Sequence, residues 1–173
     1  MRKFLSVLAL TSVLLGAGCA QTISRPATQQ ALDTSSWKTY TNTLCGLSLK
    51  YPSDAVFASQ TDSDAVITTQ DDIDFQNGQD GEAPSSYYVG VSCKDIANLD
   101  EFFAKNTSST IQKIGTTLVG GQSAITALIG ADHHYSLWVQ HDRVSMIDFS
   151  YADSASALTP IQSAILESIT FTR

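Results

Sequence analysis

The fold class is decided by residues 111–151, which read IQKIGTTLVGGQSAITALIGADHHYSLWVQHDRVSMIDFSY. Short runs of alternating or β-branched residues are separated there by turn residues, a pattern typical of hairpin-linked strands. The pattern predicts four strands, at residues 111–119, 123–129, 133–140 and 144–151. Gly120-Gly121 and His141-Asp142-Arg143 are the predicted hairpin connections. We therefore expect an antiparallel sheet.

The same kind of pattern continues on both sides of this stretch. Before it, strands are predicted at residues 46–51, 65–69 and 87–93, and after it a short strand is predicted at residues 169–172. Two other segments have helical signals instead. The chain from residue 37 onwards is therefore predicted to contain many strands and two helices.

Both predicted helices begin at a capping sequence. Asn98 has Glu101 three residues on, and Thr159 has Gln162 three residues on, with Pro160 at the first helical position. Such side chains satisfy backbone N–H groups that have no partner at a helix start. The first helix is predicted over residues 99–108. Apolar residues at helical spacing predict a buried stripe on each helix: Leu99, Phe102 and Phe103 on the first, and Ile161, Ile165 and Ile169 on the second.

Two motifs of this domain resemble a known family. Residues 46–54, GLSLKYPSD, resemble the first-strand motif GFSLKYPSDW of PsbP-like domains, and residues 165–171, ILESITF, are similar to their final ILSSIKF motif. The resemblance covers residues 37–173. It implies an α+β fold, an α/β/α sandwich with a central antiparallel sheet, and bacterial lipoproteins are common in the family. Because the members differ widely in function, the resemblance implies no particular activity.

The first 18 residues predict a lipoprotein signal peptide. Arg2 and Lys3 precede an uncharged apolar run, residues 4–16, that is too short to span a membrane and remain there. Residues 15–19, LGAGC, resemble a lipobox, in which Cys19 carries a thioether-linked diacylglycerol and an N-acyl chain such as palmitate. A plain secretory signal and a buried helix are the alternatives. By resemblance to Gram-negative lipoproteins, Ala20 would permit export to the outer membrane if the host is Gram-negative.

The lipid anchor sets the expected surroundings of the domain. Each buried CH₂ of an acyl chain contributes about 0.8 kcal/mol, so two or three chains hold a protein stably on a membrane. Residues 19–36 are rich in Ser, Thr, Gln and Ala and predict a disordered tether. A flexible chain of about 17 residues spans roughly 20 to 25 Å. We therefore expect domain 37–173 on the extracytoplasmic side of an envelope membrane and close to it.

The composition argues against two kinds of contact. The chain has 17 acidic and 10 basic residues and a net charge of −7, and loss of Arg2 and Lys3 with the signal makes it more acidic. Nucleic acid is therefore an unsuitable partner. Beyond Cys19 no apolar run approaches the roughly 18 to 20 residues of a membrane-spanning helix. Membrane contact is predicted through the lipid.

Cys45 and Cys93 remain once Cys19 is lipidated. An even pair in an exported chain predicts a disulfide, and closing a loop of about 49 residues stabilises a fold by roughly 4 kcal/mol in the chain-entropy estimate. The alternative is a reactive thiol with a histidine as its base.

The histidines, His133, His134 and His141, also suggest a metal site, but adjacent strand residues point to opposite faces, which disfavours a site containing both His133 and His134.

The most acidic segment, residues 62–82, contains no Lys or Arg. We interpret it as a long solvated loop, and its length makes it a candidate binding loop. Asp72-Ile73-Asp74 begins like a calcium loop, but the later ligand positions depart from that pattern. No resident metal or cofactor is predicted, and the weak candidates for a cation site are Asp72, Asp74, Asp80 and Glu82.

The sequence contains no nucleophile elbow, phosphate-binding glycine loop, dinucleotide fingerprint or zinc-protease motif. Tyr87, Tyr88 and Trp138 are candidates for an exposed aromatic patch of the kind used in recognition. The leading hypothesis is a non-catalytic envelope lipoprotein that binds or supports a protein partner near the membrane. A small-ligand or calcium-binding module is the second hypothesis, and an unrecognised hydrolase is the third.

Overall fold

The computed structural model describes residues 32–79, 88–106, 110–131, 134–141, 143–149, 152 and 154–172. A small antiparallel sheet contains three strands, β1 (Lys38–Asn42), β2 (Leu47–Tyr51) and β10 (Thr170–Phe171), in the order β1-β2-β10. Thr170 pairs with Ser48 and Phe171 with Leu47. The last strand of the domain is therefore bonded to one of its first.

A larger antiparallel sheet contains the seven strands between them. These are β3 (Val56–Gln60), β4 (Asp64–Thr68), β5 (Val89–Lys94), β6 (Ile111–Val119), β7 (Gln122–Ile129), β8 (His134–Gln140) and β9 (Val144–Phe149). Their order is β3-β4-β5-β9-β8-β7-β6. Gly120 and Gly121 join β6 to β7 with φ values of 55° and 79°, a region that glycine enters without a steric cost.

In the described part of the chain, three α-helices accompany the sheets: α1 (Gln70–Gln76), α2 (Leu99–Asn106) and α3 (Pro160–Glu167). At the start of α3, Thr159 Oγ1 accepts the Gln162 backbone N–H, and Gln162 Oε1 accepts the Thr159 backbone N–H. At the start of α2, Asn98 Oδ1 accepts the Glu101 backbone N–H at 2.9 Å. Both helices therefore begin where their capping sequences predict.

The two faces of the larger sheet are covered differently. Its inner face packs against the small sheet and α3 in an apolar core that includes Leu47, Ile147 and Ile165, each 0% exposed. The opposite face, here called the α2 face, packs against α2 through a smaller cluster that includes Phe103 and Trp138. The layers are α2, then the larger sheet, then the small sheet with α3.

A disulfide joins the two sheets at the inner face. Cys45 lies just before β2 and Cys93 lies in β5, with 5.6 Å between their Cα atoms and a sequence separation of 48. Cys45 is 1% exposed. The predicted disulfide is confirmed, and the alternative of a reactive thiol at either cysteine is wrong because each sulfur is bonded to the other.

The predicted strands are all present, with described ends shifted by no more than about two residues, an ordinary uncertainty in strand boundaries. The α+β class is confirmed, and the strands are divided between two antiparallel sheets. The sequence patterns do not predict β1 and β3, because exposed residues alternate with few buried apolar ones in β1, and β3 has none that is fully buried.

The acidic segment is not a long loop. Residues 64–68 form β4 and residues 70–76 form α1. Thr69 Oγ1 accepts the Asp72 backbone N–H at 3.1 Å and caps α1, and the acidic first turn, Asp71 and Asp72, interacts favourably with the helix dipole. The strand predicted at residues 65–69 is therefore confirmed, the loop interpretation is wrong for residues 70–76, and residues 80–82 lie outside the described residues.

Candidate functional site

A cavity of about 380 Å³ lies on the α2 face, between the start of α2 and strands β6, β7 and β8. We call it the α2 cavity. Its lining residues are Ala97, Asn98, Leu99, Asp100, Thr116, Ser123, Ile125 and Gln140. Ligand-binding clefts have volumes of roughly 300 to 1,000 Å³. The α2 cavity is therefore large enough to hold a small molecule or a side chain of another protein.

The register of the larger sheet forms the floor of the α2 cavity. Thr116 on β6 pairs with Ile125 on β7, and Ile125 pairs with Trp138 on β8. Directly opposite residues in an antiparallel pair point to the same face. Trp138 is 5% exposed and stacks on Phe102 of α2 with 5.3 Å between ring centroids. This packing fixes the position of α2 over the floor.

The wall of the α2 cavity is the capped start of α2. The Asn98 backbone carbonyl accepts the Phe102 N–H at 3.0 Å, in addition to the side-chain bond with Glu101. Lys113 Nζ donates to the Asp100 carboxylate at 3.3 Å. The Asp100 side chain is 85% exposed, so this ion pair contributes little to stability. It does place a positive charge beside the carboxylate of the cavity lining.

Gln140, the last residue of β8, lines the α2 cavity. Its Oε1 atom is buried and has no hydrogen-bond partner among the described residues. A buried acceptor without a donor costs about 1 to 3 kcal/mol, and a donor from a bound group would remove that cost. The lining side chains otherwise offer hydroxyl and amide groups and one ion-paired carboxylate, which suits hydrogen-bonded binding of a neutral group.

A free sheet edge lies beside the α2 cavity. β6 is the last strand in the sheet order, and in the described part of the chain no strand pairs with its outer edge. Two of its side chains are exposed apolar groups, Leu118 at 74% and Ile114 at 45%. Leu118 pairs with Ser123, a lining residue of the cavity. Exposed apolar residues on an edge strand favour contact with another chain.

Two carboxylates on the α2 face have opposite pKa shifts. Hydrogen bonds from the Ser63 and Ser92 hydroxyls, the second at 2.6 Å, lower the pKa of Asp64, and Lys94 at 3.9 Å adds to this. Burial raises the pKa of Asp148, against a smaller opposing effect of His134. Asp148 Oδ1 has no hydrogen-bond partner among the groups that the structure describes. The same face therefore favours the charged form of Asp64 and disfavours the charged form of Asp148.

The candidate calcium ligands Asp72 and Asp74 have hydrogen-bond partners on α1 and at the end of β4. Asp72 is 0% exposed, and its Oδ2 accepts hydrogen bonds from Thr68 Oγ1 at 2.6 Å and Gln76 Nε2 at 3.0 Å. Asp74 Oδ1 accepts one from Gln70 Nε2 at 2.8 Å. Asp72 and Asp74 thus belong to a helix and not to the predicted calcium loop.

The remaining metal candidates are not brought together where they are described. Asp80, Glu82 and His133 lie outside the described residues, as does Cys19. His134 lies on β8, and the His141 ring stacks on Phe171 of β10 with 5.8 Å between centroids. Within the described ranges no three His, Cys, Asp or Glu residues form a group that could hold a metal ion.

The predicted aromatic patch is wrong for Trp138. This residue is buried under α2, and its Nε1–H donates to Ser136 Oγ at 2.8 Å. Tyr88 is half-buried, and Tyr87 lies outside the described residues. The apolar side chains that are exposed on this face belong to β6 instead.

Sequence reasoning missed the residues of the α2 cavity. Thr116, Ser123 and Gln140 are ordinary polar residues of predicted strands, and no motif marks them. Alternation does place Gln140 on the same face as Trp138, and the capping sequence locates the start of α2. The packing of that start against β6, β7 and β8 is a long-range contact without a local signal.

Comparisons with known proteins find a distant likeness to a solved structure. No protein-family model matches the chain, and no curated protein matches it. The chain is similar to the solution structure of cyanobacterial PsbP (CyanoP) from Synechocystis sp. PCC 6803, with 13% identity and a TM-score of 0.47, over 82% of this chain and 95% of that one. This likeness concerns the fold alone. No helix in the described ranges has the length and apolar character needed to cross a membrane.

Proposed function

We propose that the chain is a lipid-anchored extracytoplasmic protein that binds a protein partner near the membrane without catalysing a reaction. The α2 cavity, with the buried and unpaired Gln140 Oε1, is the observation that carries the binding part of this proposal. Ser123, at one side of this cavity, is itself exposed and accessible to a partner. A partner would place a hydrogen-bond-donating side chain in the cavity.

The compartment is supported by the disulfide. Cys45–Cys93 is of a kind that persists in oxidising compartments and is rare where thiols are kept reduced. The signal sequence ending at Cys19 agrees with such a compartment, and the tether of about 17 residues would keep the domain within roughly 25 Å of the membrane. The partner would then be an envelope protein at that height.

The anchor is tested by Cys19→Ala in the native host. The wild-type protein should incorporate radiolabelled palmitate and sediment with membranes, and the variant should do neither. Cys45→Ala together with Cys93→Ala is the control, because that pair changes the disulfide and leaves the anchor intact. Equal labelling of wild type and Cys19→Ala would contradict the lipid attachment.

Partner binding is tested by filling the α2 cavity. Ser123 is exposed and lines the cavity, so Ser123→Trp occupies it without disturbing the core. Ser59→Trp on β3 is the matched control, since Ser59 is also exposed but lies on the strand at the opposite end of the sheet. After crosslinking in intact envelopes, wild type and Ser59→Trp should retain the same stoichiometric partner and Ser123→Trp should lose it. Equal recovery with all three removes the cavity from the proposal.

A small neutral ligand is the second candidate, because the volume of the α2 cavity lies within the range of ligand-binding clefts. Native mass spectrometry of the protein purified from its host would detect such a ligand as a fixed added mass. The mass should be absent from Ser123→Trp and present with Ser59→Trp. An unchanged protein mass in all three samples contradicts this candidate.

A further inference from the structure

We infer that the free edge of β6 pairs with the β6 of a second copy of this chain, antiparallel and centred on Thr116. In that register residues whose numbers sum to 232 lie opposite each other. Ile114 of each copy therefore faces Leu118 of the other copy, which gives two equivalent contacts, and the two Thr116 residues face each other. The two exposed apolar side chains of the strand each gain an apolar partner.

The faces of the strand are compatible with this register. Residues 115–119 pair with β7 without interruption, so Thr116 and Leu118 point to the α2 face and Thr117 and Val119 point to the inner face. Opposite residues of an antiparallel pair share a face. The two copies would therefore form one continuous sheet with both α2 helices on the same side.

The charge on β6 favours a second copy of this acidic chain at this edge. The chain has a net charge of −7, which opposes self-association over most of its surface. β6 carries no carboxylate, and its one ionisable side chain is Lys113. Lys113 precedes the part of β6 that would pair, so no like charges meet across the pair.

The irregularity of β6 selects the register. The β6–β7 register shifts between Lys113 and Gly115, and a bulge with a nearby lysine blocks pairing along the first part of an edge strand. Pairing is then confined to the part from Ile114 onwards. Moving the centre by one residue along this part would place Ile114 opposite Gly120 or Thr116, and Leu118 would also lose its apolar partner.

The second copy contributes to the surface of the α2 cavity. Leu118 pairs with the lining residue Ser123, so the Ile114 of the second copy would lie at the rim beside Leu118.

The paired segment is short, and an interface below about 1,200 Å² gives a weak complex. Attachment of both copies to one membrane raises their effective concentration. This pairing does not depend on the partner proposed above.

Cysteine crosslinking in the full-length protein tests the register. An introduced cysteine would supply the reactive thiol, because Cys45 and Cys93 are bonded to each other and Cys19 is the proposed lipid site. Thr116→Cys should form a disulfide-linked homodimer under mild oxidation, since facing Cβ atoms in such a pair are about 4.5 to 5.5 Å apart. Leu118→Cys alone should give at least tenfold less disulfide-linked homodimer, because the two residues at position 118 would be about 13 Å apart along the strands. Ile114→Cys and Leu118→Cys expressed together should crosslink to each other.

The control is Thr39→Cys, which is exposed on β1, an edge strand of the small sheet. It should give no more dimer than Leu118→Cys alone. The inference is overturned by equal dimer at all positions, which indicates random collision, or by dimer at 118 and none at 116, which indicates another register. It is also overturned if Thr116→Cys gives only adducts with a different protein or no adduct. These outcomes leave the palmitate and Ser123→Trp results unaffected.

Discussion

The inner face and the α2 face of the larger sheet use the same strands and have different tasks. The inner face is closed by the small sheet, α3 and the Cys45–Cys93 disulfide, around a large apolar cluster. The α2 face is covered by α2, a helix of eight residues, and retains a cavity, a buried unpaired amide oxygen and two carboxylates with opposite pKa shifts. Stability is concentrated on one side of the sheet, which leaves the other side available for polar groups that serve binding.

The largest difference between the faces is expected from neighbouring residues of β9. Ile147 is 0% exposed in the inner core, whereas Met146 is half-buried against the α2 cluster. Ile147→Ala should lower the free energy of unfolding by about 2 to 5 kcal/mol, since it leaves a cavity in a closed core. Met146→Ala should lower the free energy of unfolding by less than half of that amount. Urea unfolding of both variants measures the two values, and equal losses would contradict the distinction between the faces.

Removal of the disulfide should have the next largest effect. Replacing Cys45 and Cys93 together by Ser should lower the free energy of unfolding by about 2 to 4 kcal/mol, because the reduced unfolded chain gains conformational entropy. Thermal melts with and without dithiothreitol measure the change, which should be similar for the variant and for reduced wild type. A variant as stable as the oxidised wild type would show that the inner core holds the two sheets together without the bond.

Asp148→Asn should stabilise the protein near neutral pH by about 1 kcal/mol, because a buried carboxylate with an unpaired oxygen is replaced by a neutral amide. Burial raises the folded pKa of Asp148 above its ordinary value. Its contribution is therefore favourable below the unfolded pKa and is lost as the pH rises through the folded pKa. Melting temperatures between pH 3 and 8 should show that Asp148→Asn removes part of this decline. A variant that is less stable than wild type at pH 7 would contradict the assignment.

Asp64→Asn should have the smallest effect on the free energy of unfolding. It should destabilise the protein near neutral pH, whereas Asp148→Asn should stabilise it. The pKa of Asp64 is lowered, so its contribution is present above the unfolded pKa and is lost as the pH falls through the folded pKa. Its side chain is 44% exposed, and solvent screening limits the loss to less than about 0.5 kcal/mol. The same pH series measures it. A stabilising Asp64→Asn would mean that Ser63, Ser92 and Lys94 do not favour the charged form.

Local patterns were sufficient wherever neighbouring residues determine the conformation. The predicted β6 has the same ends as the strand in the structure, and Thr159 caps α3 as its spacing indicates. Prediction failed where tertiary contacts decide. Asp72 belongs to a segment that looks like a solvated loop, yet its burial and its bonds to Thr68 and Gln76 place it in a helix against the sheet. Trp138 looks like a candidate for an exposed patch and is covered by Phe102 and Phe103.

The sequence by itself determined the strands of the hairpin region, the starts of α2 and α3 and the pairing of two cysteines, because alternation, capping and composition act over a few residues. It also supplied the expectation of a lipid anchor at Cys19. Only the tertiary structure decided that the strands divide into two sheets, that the disulfide joins them and that a cavity remains under the start of α2. These features depend on which faces pack together, and that choice is made by burial of apolar area across the whole chain.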